Sequence, residues 1–149
     1  MKGKIWDISS LEKLNLAVKD VLAMVRDSGQ GERAAVLALS GDLGAGKTTF
    51  TQYLARELGV GETITSPTFV IMKKYPLPND AQFKHLVHID AYRLESPEEL
   101  LVINLNTELH DKGNLVVIEW AEKVASLLPP YAVSLYFTLD GAQRALSLK

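Results

Sequence analysis

One octapeptide constrains this chain more than any other feature. Gly41-Asp42-Leu43-Gly44-Ala45-Gly46-Lys47-Thr48 fits G-x-x-x-x-G-K-[ST] at every fixed position. It follows Ala34-Ala35-Val36-Leu37-Ala38-Leu39, an apolar run without alternation. Such a run suits a strand covered on both faces, as in a parallel sheet. A helix to about Leu58 should follow the loop, with Gly59 placed to end it. Strand, glycine-rich loop and helix in that order predict a P-loop NTPase-like, three-layer α/β fold. Glycines let the backbone curve around an anion with its N–H groups inward. The helix start adds its positive end. On this reading Gly41, Asp42, Leu43, Gly44, Ala45, Gly46, Lys47, Thr48 and Thr49 form a triphosphate cradle. Lys47 would bridge the β- and γ-phosphates, and the Thr48 hydroxyl would ligate magnesium.

The rest of the chain supplies elements around that unit. Ser9 and Glu12 have capping-box spacing. Leu11, Leu14, Val18, Val21, Leu22 and Val25 recur at helical intervals, which predicts a helix from about Ser10 to Asp27 with Gly29 beyond it. Thr68–Tyr75, Leu86–Asp90 and Leu115–Glu119 read as strands. Ser96-Pro97-Glu98-Glu99 reads as a capped helix start leading into Leu100, Leu101 and Ile103, and Thr107–Asp111 as a shorter helical stretch. In the tail, Val133, Leu135, Phe137 and Leu139 alternate, Asp140-Gly141 offers a turn, and Ala145–Leu148 can pair back. That pattern predicts an antiparallel C-terminal hairpin at the edge of a sheet whose core is parallel.

Metal-assisted chemistry on a triphosphate needs an acidic group near the loop. Asp90 and Glu119 each end an apolar strand, and parallel strands bring their ends to the same edge as the loop. Both are candidate magnesium ligands, and either could orient the attacking water. Thr68, within Thr65-Ser66-Pro67-Thr68-Phe69, sits where such proteins carry a switch that senses the γ-phosphate, with Ser66 as second choice. His85 and His88 are read as sharing a strand face, where an ordinary half-exposed face is preferred to a metal site. Trp120 follows Glu119 and could wall the pocket.

Composition narrows the remaining classes. With 149 residues and 47% hydrophobic content, one compact domain over residues 1–149 is expected. A formal charge of −2 argues against broad, charge-driven nucleic-acid binding. There is no cysteine, so disulfides and thiolate metal sites are excluded. The N-terminal residues lack the apolar stretch of a signal peptide, and the longest apolar run is far too short to cross a bilayer. The expectation is a cytoplasmic protein without membrane contact.

Four blocks together resemble the bacterial TsaE (YjeE) family: Gly41–Phe50, Ser66-Pro67-Thr68-Phe69, His88-Ile89-Asp90-Ala91-Tyr92-Arg93-Leu94 and Glu119-Trp120. The phosphate loop alone would not single out that family; the His-x-Asp-x-Tyr-Arg-Leu block and the Glu-Trp pair do. The resemblance implies an ATPase that uses ATP and Mg2+. It would act with TsaB and TsaD to form threonylcarbamoyladenosine on ANN-decoding tRNAs, reaching tRNA through the complex. It implies catalytic roles for Lys47, Asp90, Glu119 and Thr68, and a place for Trp120 beside the nucleotide. It also implies that Ser10 or Leu11, with Arg144, borders the adenine. The segment Leu101–Thr107 departs from the family in lacking a glycine. Two other readings of the loop are a small-molecule kinase, against which no arginine-rich lid is found, and a nucleotide-gated binding module whose hydrolysis is incidental. A GTPase is disfavoured, because no Asn-Lys-x-Asp segment is present.

Overall fold

A computed structural model describes residues 3–28, 31–65, 71–99 and 104–149. The first helix, α1, runs Leu11–Asp27 and turns Leu14, Ala17, Val18, Val21, Leu22 and Val25 inward. Ser10, not Ser9, is its cap: the Ser10 hydroxyl accepts from the Lys13 amide at 3.2 Å. Ser9 is drawn instead to the C-terminal hairpin, where its oxygen accepts from the Arg144 amide at 2.9 Å. The expected stop at Gly29 lies outside the described residues. The second helix, α2, spans Lys47–Glu57, and Gly59 beyond it takes φ +88°.

Among the described residues, seven strands form one mixed sheet in the order β1-β7-β6-β2-β5-β4-β3. They are β1 Ile5–Asp7, β2 Ala35–Gly41, β3 Met72–Pro76, β4 His85–Asp90, β5 Asn114–Glu119, β6 Val133–Asp140 and β7 Gln143–Leu148. The parallel core is β6-β2-β5-β4. β7 pairs antiparallel with β6, β1 with β7, and β3 with β4. The C-terminal hairpin exists as expected but does not form the edge. β6 docks parallel on β2, and β1 covers β7. A three-residue strand is too short to carry an alternation, which is why β1 escapes the sequence reading. At the other edge, β3 keeps Lys73 and Lys74 exposed and ends in Pro76, features that discourage pairing with another chain.

Alternate residues of β2 enter two separate cores. Ala35, Leu37 and Leu39 join α1, α2 and Phe137 on one face. Val36 and Ala38 join Leu105, Val116, Ile118 and Val124 on the other. The second face is covered by the short helix Leu105–Leu109 and by 3₁₀ turns over Ala121–Leu127. This is a three-layer, P-loop NTPase-like arrangement. At the start of that short helix Asn104 adopts φ 63°. Asn is among the few side chains that tolerate this left-handed region. The helix expected after Ser96 falls mostly on residues 100–103, outside the described ones. Among the described residues, no helix is long and apolar enough to cross a membrane.

Candidate active site

The loop leaves the central strand β2 and enters α2, so it sits at the C-terminal edge of the parallel core. Two of its glycines, Gly44 and Gly46, have φ of +76° and +111°, with open space around a hypothetical Cβ of Gly44. These serve the curvature of the loop. Gly41, at φ +124°, meets a further demand. A Cβ there would lie 2.0 Å from the Phe137 carbonyl oxygen, so close approach of β6 requires glycine. That same carbonyl accepts from the Asp42 amide at 3.0 Å, and an Asp42 carboxylate oxygen accepts from the Leu139 amide at 3.1 Å. The hairpin therefore braces the loop from one side.

Lys47 is buried and folded back along the loop. Its ammonium donates to the Gly41 carbonyl at 2.9 Å and the Asp42 carbonyl at 2.8 Å. It also lies 4.1 Å from the centre of the Trp120 ring. Burial pushes this ammonium below the ordinary lysine range, while the charges of Glu122, Glu119, Asp42 and Asp90 pull it back up. Trp120 reaches the loop from a left-handed backbone, φ 58° and ψ 42°. A non-glycine residue held there stores roughly 1–3 kcal/mol of strain, a feature that concentrates at functional sites. Tyr92 packs on the outer side of Trp120, with ring centres 5.0 Å apart.

The two strand-end acids are register partners, since Asp90 of β4 pairs with Glu119 of β5. Odd-numbered β5 residues face α2, so Glu119 points to the helix that carries Thr48. The Thr48 hydroxyl donates to Glu119 Oε1 at 2.7 Å. A hydroxyl and a carboxylate this close form a set of hard oxygen donors, which suits magnesium with the remaining positions filled by phosphate and water. Asp90 is half-exposed at the same edge and accepts from the Tyr92 amide at 2.9 Å.

Leu43, Gly44, Gly46, Lys47, Thr48, Thr49, Glu119 and Trp120 line one cleft of about 180 Å³. A second cleft, of about 200 Å³, shares Gly44, Gly46 and Thr49 and adds Ala45, Ser10, Leu11 and Arg144. The Arg144 guanidinium donates to the Gly44 carbonyl at 3.3 Å. Larger hollows exist, one of about 350 Å³ beside Arg33, Lys84 and Lys112 at the opposite ends of the strands. Neither that one nor the hollow of about 550 Å³ between Asp27, Ser28 and Lys149 is lined by the phosphate loop, so chemistry decides over size. Thr68 and Ser66 lie outside the described residues.

One residue of the site went unread in the sequence, and another was read wrongly. Glu122 accepts from the Gly41 amide at 3.0 Å, a contact that no spacing rule announces. His88 was paired with His85 on one face, but residues three apart in a strand point to opposite faces. His88 is completely buried, with Nε2 at 2.5 Å from Glu119 Oε2. An ionisable residue inside Leu86-Val87-His88-Ile89 is the signal that could have revealed it, because a buried polar group needs a partner.

Comparison with known proteins agrees with this layout. A family model described as "Threonylcarbamoyl adenosine biosynthesis protein TsaE" matches residues 11–146. The "tRNA threonylcarbamoyladenosine biosynthesis protein TsaE" of Rickettsia typhi is 37% identical over 87 residues, 58% of this chain and 56% of that protein. The protein of the same description from Treponema pallidum is 42% identical over 76 residues, covering 48% of this chain and 49% of its own. The matched region thus spans about half the length of these curated relatives. The crystal structure of Bacillus subtilus YdiB superposes with a TM-score of 0.72 at 26% identity, over 99% of this chain and 84% of that one. The family match runs through α1, the phosphate loop, both strand-end acids and the hairpin, and the chain belongs to the TsaE family.

Proposed function

We propose that this chain is a magnesium-dependent ATPase of the cytoplasm that serves threonylcarbamoyladenosine formation on ANN-decoding tRNAs. In this reading it works with TsaB and TsaD and meets tRNA through them. The observation that carries the ATPase reading is the 2.7 Å contact between the Thr48 hydroxyl and Glu119 Oε1 at the head of the phosphate loop. It joins a hydroxyl from α2 to an acid from β5 beside a lysine already poised at the same cleft. Magnesium, when bound, offsets phosphate charge and fixes the geometry of the oxygens. Thr48, Glu119 and Asp90 are the residues that would hold it.

The chain's own part follows from its groups. Lys47 exchanges two carbonyl partners for phosphate oxygens, which accept a charge-assisted bond more strongly. The loop amides and the N-terminus of α2 face the same anion. Glu119 and Asp90 orient water on the γ-phosphate side, and Thr68 reports the state of that phosphate. Leu11, Ser10 and Arg144 border the base. The work of hydrolysis is then to turn over a complex, since the partner carries the transfer chemistry.

Titration calorimetry with ATP and GTP, followed by hydrolysis assays with and without TsaB and TsaD, tests the proposal. ATP preference and stimulation by the partners are expected. Lys47→Ala should abolish binding, and Glu119→Gln should bind ATP while kcat falls on the order of a hundredfold or more. A preference for GTP, or indifference to the partners, refutes the reading.

A further inference from the structure

His88 is the most deeply buried ionisable group near the site, and the proposed chemistry leaves it without a task. Its ring has no exposure, and the Glu119 side chain has almost none. The pair sits between β4 and β5, on the face that α2 covers. Among the described residues the second ring nitrogen, Nδ1, has no hydrogen-bond partner. All of the ring's polar interaction therefore goes to one atom, Glu119 Oε2. The other carboxylate oxygen, Oε1, is left to Thr48 at 2.7 Å.

The two contacts define the carboxylate plane. One oxygen is anchored from β4, and the other is presented to the magnesium-binding hydroxyl. A glutamate at a strand end has several rotatable bonds, and without the anchor it would sample orientations that turn Oε1 away from the loop. Groups that bond the far side of a ligating carboxylate commonly fix its orientation in this way.

We propose that His88 is a positioning residue that donates from Nε2 to Glu119 Oε2 and so aims Oε1 at the metal and phosphate position. This rests on the ATPase reading above. His88 touches neither nucleotide nor magnesium and acts only through Glu119.

Three variants test it. In His88→Gln the side-chain amide can occupy the Nε2 position and keep the donor. In His88→Leu the donor is gone, and in His88→Asn the amide reaches only the Nδ1 position. For each, circular dichroism checks folding, and calorimetry gives ATP affinity in EDTA and across a magnesium series. Steady-state assays give kcat and KM. ATP affinity in EDTA should stay within about threefold of the unsubstituted protein, because the loop and Lys47 are intact. In the Leu and Asn variants the gain in ATP affinity on adding magnesium should be lost. Their kcat should drop by about ten- to hundredfold, the range typical of removing a ligand's supporting contact. His88→Gln should restore both. Should the Leu variant fail to fold, the contrast between Gln and Asn decides. A folded Leu or Asn variant with normal magnesium dependence and kcat overturns the proposal. A folded Gln variant as impaired as Asn overturns it too, by showing that ring shape matters and not the donor. If the unsubstituted protein binds no ATP under any condition, the ATPase reading falls first and takes this proposal with it, an outcome separate from the other two.

Discussion

At the scale of single residues, identical letters in the loop do different work. Gly41 is a fixed position of the motif and Gly44 a variable one; both take a positive φ, but only Gly41 also faces a backbone carbonyl. Alanine at 44 meets only a backbone penalty of about 1–2 kcal/mol. Alanine at 41 adds a clash with the Phe137 backbone, which cannot rotate aside. Urea unfolding should therefore show Gly41→Ala less stable than Gly44→Ala by at least about 1–3 kcal/mol. The motif was legible because spacing alone defines it. The contacts of Gly41, Glu122 and His88 were not, because they depend on register between β2, β6, β4 and β5, which adjacent letters do not encode.

At the scale of elements, the strands that carry chemistry were the most legible, since long apolar runs between polar boundaries stand out. β1 and the inward place of the hairpin were not, because both depend on which strands dock side by side. One clamp between elements lends itself to measurement. Arg26, in the last turn of α1, holds Asp80 of the β3–β4 loop through two bonds of 2.6 and 3.1 Å. The same carboxylate accepts from the amides of Gln82 and Phe83. The guanidinium, aided by those amides and opposed by burial, lowers the Asp80 carboxyl to about 2. A depressed acid stabilises the fold above its unfolded value, near 3.9, and that stability fades as pH falls towards about 2. Asp80→Asn should cost about 1–3 kcal/mol at neutral pH. It should also flatten the acid limb of a pH–stability profile between about 4 and 2, measured by denaturant unfolding at each pH.

At the scale of the whole molecule, the sheet divides the interior into two cores, and the proposed nucleotide site touches α1, β2, α2, β4, β5 and the C-terminal hairpin. A ligand gripping so many elements stabilises the folded chain by mass action. At a hundred times its Kd, ATP with magnesium should add about 2.7 kcal/mol. For a domain of this size that is a rise in Tm of roughly 5–11 °C, readable by differential scanning fluorimetry. Lys47→Ala should erase the rise. Trp120 has a consequence of another kind. The chain has two tryptophans, and the other, Trp6, lies on the edge strand and bonds Asp20 of α1. Lys47 rests against the Trp120 indole, so a phosphate bound by this ammonium would change the surroundings of the ring. A Trp6→Phe protein would then carry a single tryptophan, at the loop, and its emission, excited at wavelengths the five tyrosines do not absorb, would follow the filling and emptying of the cleft in real time, without any label.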